Sequence, residues 1–375
     1  MAAGTRGYWE QYTSLQAVKH AVLREYLAGW FPMLSSWSGR VLYIDTHAGP
    51  GTHTGGEPGS AITALQTLLE HKARDRILQN AEVSFLFMEL NDEDARRLEG
   101  EIKGLGSLPE RVSWQVFSED YERALTQGLE YLSEKKARLA PTFIFVDPFG
   151  FRLPYSLLRR FMEFPAVELF INVIWYHLHM ALVQAQRGRK YGPTMDHMFG
   201  EGWREQVTAR SWGGRLGQVL SLIQGILGAR WMTTVRMLNR KGSLQHVLAH
   251  FTNHDKGRDL MKGAMWRVCE VWKGEFLAHK EDAPQERVLL TASPPLKSLK
   301  SKVKRALRRQ RKTTWLELAE AVDLRGSLWL DKHLNEALRE LRDAEVIGYS
   351  GGHIGRGSNP RLWLERREGP SAAAL

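Results

Sequence analysis

Arg40-Val-Leu-Tyr-Ile-Asp-Thr-His-Ala-Gly-Pro-Gly-Thr-His-Thr54 is the stretch that decides the fold. Val41 to Ile44 is a short apolar run with β-branched residues, which predicts a buried strand. Asp45 closes it. Gly49 and Gly51 then let the backbone turn tightly and approach a ligand, because neither carries a Cβ. Pro58, Gly59 and Ser60 set up a following helix. Strand, acidic residue, Gly-x-Gly turn and helix together form the unit with which a Rossmann-like domain meets a nucleotide-type cofactor.

Spacing narrows the cofactor. A dinucleotide fingerprint wants Gly-x-Gly-x-x-Gly, and here Gly55 stands one place late, which argues against a NAD-dependent oxidoreductase. A phosphate-binding P-loop wants Gly-Lys-Ser/Thr at its end, and the loop has none. A carboxylate at the strand tip suits a cationic, phosphate-free ligand. S-adenosylmethionine (SAM) is such a ligand: Asp45 would face its amino group while the Gly49 and Gly51 backbone passes the methionine moiety. The competing reading is a glycine-rich surface turn.

Working outward, residues 61–69 form the crossover helix, and Val83 to Met88 is the second strand. That strand closes on Glu89, the position at which such folds bind ribose hydroxyls. Asn91 to Glu101 is polar and helical, capped by Asn91 or Asp92. Val112 to Phe117 is the third strand. Beyond it Glu119 and Asp120 either face the cofactor's adenine amino group or cap the helix running through Leu132. Thr142 to Val146 is the fourth strand, followed by Asp147-Pro148-Phe149-Gly150-Phe151. There a proline fixes the backbone behind a strand-tip carboxylate, and the rings offer a face on which a base can stack. A purely structural turn also accounts for Asp-Pro.

Pro154 to Phe161 supplies the next helix and Glu168 to Ile174 the fifth strand. Residues 175–230, rich in Trp, His, Met and Arg, read as an inserted helical cap over the site. Met232 to Leu238 and Leu244 to Phe251 form an antiparallel hairpin, the usual finish of a SAM methyltransferase sheet. A helix follows from Asp255 to about Lys273. Ahead of the loop, residues 9–31 have helical spacing and Pro32 ends the segment. Lys19 and His20 sit mid-helix, either on a solvated face or in the site. His177 and His179 alternate as strand-end ligands do, and His250 and His254 invite the same comparison. Neither pair has a third ligand at suitable spacing, so no metal is expected.

At 375 residues the chain is long enough for two or three domains. A net charge of +10 favours a polyanionic partner, above all nucleic acid. Cys269 is the only cysteine, which excludes an intrachain disulfide and any Cys-rich metal site and fits a reducing, cytoplasmic setting. No signal peptide or membrane span is expected. Residues 279–295 are polar and Pro-containing and read as a linker after a first domain over 1–278. Residues 296–367 read as a basic winged-helix-like domain, and 368–375 as a disordered tail. Its first helix places Leu296, Leu299, Val303 and Leu307 on one stripe, within a basic run that has no acid. Lys300, Lys304, Arg308 and Arg311, with Arg356 in the wing, are the candidates for phosphate contacts. A solvated basic face on a protein-docking module is the alternative.

Two resemblances follow from these residues. Leu42 to Gly51, with Val18-Lys19-His20 before it and Gly59-Ser60 after it, resembles the bacterial methyltransferases that modify adenine N6 in 23S ribosomal RNA. The resemblance implies that Lys19, Asp45, Thr46, His47, Ser60 and Glu89 surround SAM. It also implies that Asp147, Pro148 and Phe149 hold the amine under attack. That family reads Asp-Pro-Pro-Tyr where this chain reads Asp147-Pro148-Phe149-Gly150, so the stacking geometry differs. Over a longer stretch the chain is similar to the three-Cys-motif partner protein family (TcmP). The shared motifs are Asp45 to Gly51, Gly59-Ser60, Asp147 to Gly150 and His254 to Gly257, within residues 10–275. That resemblance implies a separate three-Cys-motif, radical-SAM-like partner. The expectation is an α/β Rossmann-like class I SAM-dependent methyltransferase with a C-terminal winged helix, acting on a base amine of nucleic acid. The alternative is a non-catalytic SAM- or nucleotide-binding partner protein that binds nucleic acid through its winged helix.

Overall fold

The computed structural model describes residues 12–272, 275–279 and 296–365. The chain divides into two compact units, residues 1–289 and 290–375. In the first, β1 (Arg40–Asp45), β2 (Glu82–Met88), β3 (Val112–Phe117), β4 (Thr142–Val146) and β5 (Val167–Val173) are parallel, in the order β3-β2-β1-β4-β5. Beside β5 lie β6 (Trp231–Leu238) and β7 (Leu244–Thr252); β7 pairs antiparallel with β5, and β6 antiparallel with β7. This is a Rossmann-like α/β sheet, mostly parallel at its centre, as the sequence predicts. Chain order reverses between β1 and β4. Ligands of such sheets bind in the crevice at that point, outside the carboxyl ends of the strands.

The central strands β4 and β5 are buried along their whole length because both faces are covered. On one face Tyr43, Phe85, Phe143 and Phe170 form an aromatic layer that meets Tyr26, Trp30 and Phe31 of α1 (Ser14–Ser35). On the other, Ile44, Ile144, Val146, Leu169 and Ile171 pack as an aliphatic layer. They meet α5 (Tyr121–Glu134), α6 (Tyr155–Met162), α7 (Trp175–Gln186), α8 (Gly192–Phe199) and α10 (Trp212–Leu227). The remaining helices of this unit are α2 (Ser60–Leu69), α3 (Arg74–Asn80), α4 (Asp92–Gly104), α9 (Trp203–Gln206) and α11 (Asp255–Val268). Among the described residues no helix is long and apolar enough to cross a membrane.

The structure corrects four expectations. Pro32 does not end α1, which runs on to Ser35. The proline removes one backbone donor, and the freed Ala28 carbonyl is instead 2.9 Å from His71 Nε2. His177 and His179 lie on α7 and not at a strand end. The helix from Asp255 stops at Val268, and β8 (Glu270–Trp272) and β9 (Glu275–His279) extend the sheet, β9 pairing parallel with β6. His279 therefore ends a strand, while 280–295 of the expected linker and the 368–375 tail lie outside the described residues.

The second unit contains α12 (Lys297–Gln310), β10 (Lys312–Thr314), α13 (Trp315–Ala321), α14 (Asp331–Asp343), β11 (Ile347–Ser350) and β12 (Arg361–Leu364). Its strands form an antiparallel sheet in the order β10-β12-β11. Leu299, Val303 and Leu307 of α12 are buried, as the apolar stripe predicts. The sequence reading missed β10, which is only three residues long and follows the basic helix directly.

Gly257, in the first turn of α11, backs onto Glu168 of β5. A Cβ there would lie 2.7 Å from both carboxylate oxygens. Glu168 is fixed: it accepts from the Tyr26 hydroxyl and stands 2.8 Å from His250 Nε2. In an open helix Gly→Ala stabilises by about 1 kcal/mol. Here Gly257→Ala is expected to destabilise by about 1–3 kcal/mol, as overpacking does, read from the midpoint of guanidinium unfolding. A variant more stable than the parent would show that Glu168 yields freely.

Candidate functional site

A cavity of about 300 Å³ opens where the carboxyl ends of β1 to β4 converge. Its wall takes Thr46 and His47 from the loop after β1, Glu89 and Leu90 after β2, Glu119 to Tyr121 after β3, and Pro148 to Arg152 after β4. Three of these are carboxylates and one is a guanidinium, so the wall favours positive charge. Its apolar part comes from Leu90, Tyr121 and Phe149, the last 42% exposed. His47 is half-buried, with its ring 4.6 Å from that of Tyr121 and Nδ1 2.8 Å from Thr46 Oγ1. Its packed surroundings push it down to about 4, so the imidazole is neutral at pH 7.

Behind this wall the glycine loop is held by carboxylates. Gly49 (φ 65°) and Gly51 (φ 96°) adopt the left-handed conformation that their sequence position predicts. A Cβ on Gly51 would also press on Leu98 and Glu101 at 3.2 Å. Glu89 accepts from the backbone N–H of Gly49 at 3.0 Å and of Asn91 at 2.9 Å, tying β2 to the loop. Burial raises its carboxyl, against those hydrogen bonds. Asp45 is fully buried and does not line the cavity. It accepts from the His47 backbone N–H at 3.1 Å and from the Tyr43 hydroxyl at 3.4 Å, with Ser60 as a further partner.

Beside the cavity stands Asp147. Its Oδ2 pairs with the Lys19 ammonium, and its Oδ1 accepts from Asn172 Nδ2 at 2.7 Å. Burial opposes its charge, but Lys19 beside it and the hydrogen bonds from Lys19 and Asn172 prevail and hold the carboxyl below the usual range. Lys19 is 3% exposed and His20 is buried next to it, so this face of α1 is not solvated. Tyr12 hydroxyl lies 3.1 Å from His20 Nδ1, and the Tyr12 ring is 4.9 Å from that of His53.

The predicted residues therefore fall into two layers. Thr46, His47, Glu89, Glu119, Asp120, Pro148 and Phe149 reach the cavity; Lys19, Asp45, Gly49, Gly51, Ser60 and Asp147 do not line it. The two carboxylates after β3 separate: Asp120 Oδ1 caps α5 through the N–H groups of Glu122 and Arg123, while Glu119 pairs with Arg123 at 3.6 Å. The sequence reading missed Asn172, Leu90 and Arg152. Asn172 carried a signal, being the one amide in the apolar fifth strand. Of the remaining histidines, His179 sits 3.2 Å from Arg215 and stacks near Trp212, while His254 bonds the Pro165 carbonyl. In the second unit Lys300 pairs with Glu340 at 2.6 Å and Arg356 with Asp331 at 3.8 Å. Arg308 and Arg311 are exposed and Lys304 is half-buried.

No protein-family model matches the chain, and no curated protein matches it in sequence. Among solved structures it is similar to Trm1 from Pyrococcus horikoshii in complex with S-adenosyl-L-methionine. The identity is 13%, over 94% of this chain and 91% of that one, with a TM-score of 0.38. It is also similar to a human methyltransferase 10 domain containing protein, at 12% identity over 62% of this chain and 82% of that one, TM-score 0.29. A third is the methyltransferase domain of bacterial CtHen1, at 13% identity over 62% and 99% of the two chains, TM-score 0.30. Likeness at this level concerns the course of the chain and assigns no residue.

Asp45 makes the loop pH-sensitive. Burial raises its carboxyl to about 7, outweighing the hydrogen bonds from Ser60 and His47. The unfolded value is about 3.9. Between those two values the folded state holds the extra proton, so Asp45 lowers stability progressively as pH rises, and the effect is complete above the folded value. Asp45→Asn removes that dependence. The stability of the variant relative to the parent is expected to grow by up to a few kcal/mol between about pH 4 and pH 7, and to stay level above. Urea unfolding across that range checks it, and a pH-independent difference would contradict it.

Proposed function

We infer that the first unit is a SAM-dependent methyltransferase acting on an exocyclic base amine of nucleic acid. The observation that carries this is the grouping, at one switch point, of a carboxylate-lined cavity with a half-buried, ion-paired Asp147 at its edge. A dinucleotide would bring a pyrophosphate against Glu89, Glu119 and Asp120; a sulfonium ligand without phosphate meets the same wall favourably. The residues present fit SAM. Glu89 would take the ribose hydroxyls, Glu119 the adenine amino group, and Leu90 and Tyr121 the adenine faces. Thr46, His47 and the bare glycine backbone would pass the methionine moiety. Asp45, Ser60 and Lys19 support these from behind.

Bound SAM supplies an electrophilic methyl group, and the chain supplies position. Asp147, kept anionic, is an acceptor only; its carboxylate would accept an N–H of the target amine and aim the nitrogen lone pair. Lys19 and Asn172 lock its orientation. Phe149 offers a ring face beside Pro148 for the base. Catalysis is then mainly in-line positioning. A duplex target has to be flipped out at a few kcal/mol, or be single-stranded. Asp147→Ala is expected to keep SAM affinity by calorimetry and to lose labelled methyl transfer to bulk RNA and DNA. Absence of SAM affinity in the parent protein would end this reading.

One observation favours a second reading. Both Asp147 oxygens already have partners, which suits a non-catalytic SAM-binding partner of the three-Cys-motif (TcmP) kind, docking a radical-SAM-like protein. Methyl transfer measured with and without such a partner separates the two.

The second unit supports a winged helix by its order of helix, strand, two helices and two strands. Its basic charge lies on α12 and at Arg311 just past its end; Arg308 and Arg311 are exposed and would contact phosphates there. Replacing both by Ala is expected to flatten the slope of log affinity against log salt by about 0.7–0.9 per charge removed. Fluorescence anisotropy over a salt series measures it. An unchanged slope would mark α12 as a solvated or protein-docking face.

A further inference from the structure

A second cavity, of about 660 Å³, opens at the same carboxyl edge of the sheet, beyond β5. The first turn of α7 gives it Tyr176, and the start of α10 gives Trp212. The hairpin ends of β6 and β7 add Leu238 and Leu244, and β9 adds Leu277. Tyr176 is 45% exposed and Trp212 38%, which leaves large aromatic faces in water. Trp212 is nevertheless fixed. Its ring stands 4.0 Å from that of His179 and 5.7 Å, edge-on, from that of Trp175; His179 is in turn held by Arg215. A rigid ring presented to solvent is a preorganised stacking platform.

Charge indicates the occupant. The cavity wall itself is neutral, because its Arg236 pairs with Glu275 at 2.6 Å. The basic side chains that belong to this end lie in the loop between β6 and β7. The hairpin loop beside the cavity contributes exposed Arg240 and Lys241. A neutral aromatic floor with a cationic rim matches a base joined to phosphodiesters. The chain also joins this cavity to the proposed acceptor position. Asn172, which bonds Asp147, is followed in the chain by Trp175 and Tyr176 as β5 passes into α7.

We propose that this second cavity holds an unpaired base next to the target on a single-stranded nucleic acid, stacked on Tyr176 and Trp212. The proposal deepens the methyltransferase reading and rests on it for the word target alone, since the binding itself needs no cofactor. The full chain, without SAM, is titrated by anisotropy into a short single-stranded oligonucleotide and into an abasic oligonucleotide of equal length. Phosphate contacts, including any from the second unit, are common to both probes. The parent is expected to prefer the base-bearing strand by about tenfold or more, the scale of one stacked base. Tyr176→Ala and Trp212→Ala should each lose most of that preference, and Trp212→Phe should keep it, with unfolding midpoints confirming that the variants fold. Equal binding of the two strands by the parent, or a full preference in both Ala variants, overturns the proposal. The second result would place base recognition elsewhere and leave the cavity to a protein partner. Calorimetry with SAM on the same preparation tests the methyltransferase reading separately. A protein that fails to bind SAM yet shows the stacking preference refutes that reading and not this one.

Discussion

The Lys19–Asp147 ion pair is the constraint on which the arrangement depends. Lys19 and Tyr26 are seven residues apart on α1, two helical turns or about 10 Å along one face. Lys19 grips Asp147 just past the carboxyl end of β4, and Tyr26 grips Glu168 near the amino end of β5. The two contacts lay α1 antiparallel to the strands and set where it stops along them. A buried ion pair adds little net stability over apolar residues of the same volume, whereas removing one partner costs about 3–5 kcal/mol. Its effect is therefore on placement: it keeps Asp147 charged, selects its rotamer, and brings His20 up to Tyr12 and His53.

Glu168 repeats this device at the opposite end of the strands. It is buried within β5, and its carboxylate is shared by Tyr26 of α1 and His250 of β7. Gly257 leaves the space for it from α11. A carboxylate in an apolar interior is tolerated only when hydrogen-bonded. Three elements that are remote in sequence are therefore required to meet at one point, which apolar packing of Tyr26, Phe143 and His250 alone does not specify. Gly257, the last residue of the His254–Gly257 motif, has its physical reason here.

What was legible in the sequence was local. Strand tips, the positive-φ glycines and the acidic residue after β2 announce themselves within a few residues, because period, turn chemistry and strand length are short-range properties. Lys19 did not announce its partner, 128 residues away, and a lysine in mid-helix has the pattern of a solvated face until that partner is known. Glu119 and Asp120 could not be ranked, since capping and ligand binding ask for the same residue type; only the N–H groups taken by Asp120 separate them. Pro32 was misleading because the carbonyl it orphans is met from another helix-loop segment by His71. β8 was missed because a three-residue strand has no measurable period, and the five residues of β9 abut the polar stretch read as a linker.

Net charge is an average over unlike segments. The basic run of α12 is conspicuous and draws attention to the second unit, but the first unit is itself divided. Residues 12–174 carry 17 Lys and Arg against 21 Asp and Glu, whereas residues 175–244 carry ten against three. Segment 175–244 reaches both cavities of the sheet edge: Tyr191 packs on Phe151 of the first, while exposed Arg240 and Lys241 stand in the loop beside the second. Fields from exposed charges fade over about 8 Å at physiological salt, so the two need not cancel. A cationic cofactor and a polyanionic acceptor make opposite demands on their surroundings, and a single averaged charge satisfies neither. Carboxylates in the wall of the first cavity and Arg240 and Lys241 beside the second meet the two demands in different places, with Asp147 and Asn172 bonded to each other at the ends of the strands between them.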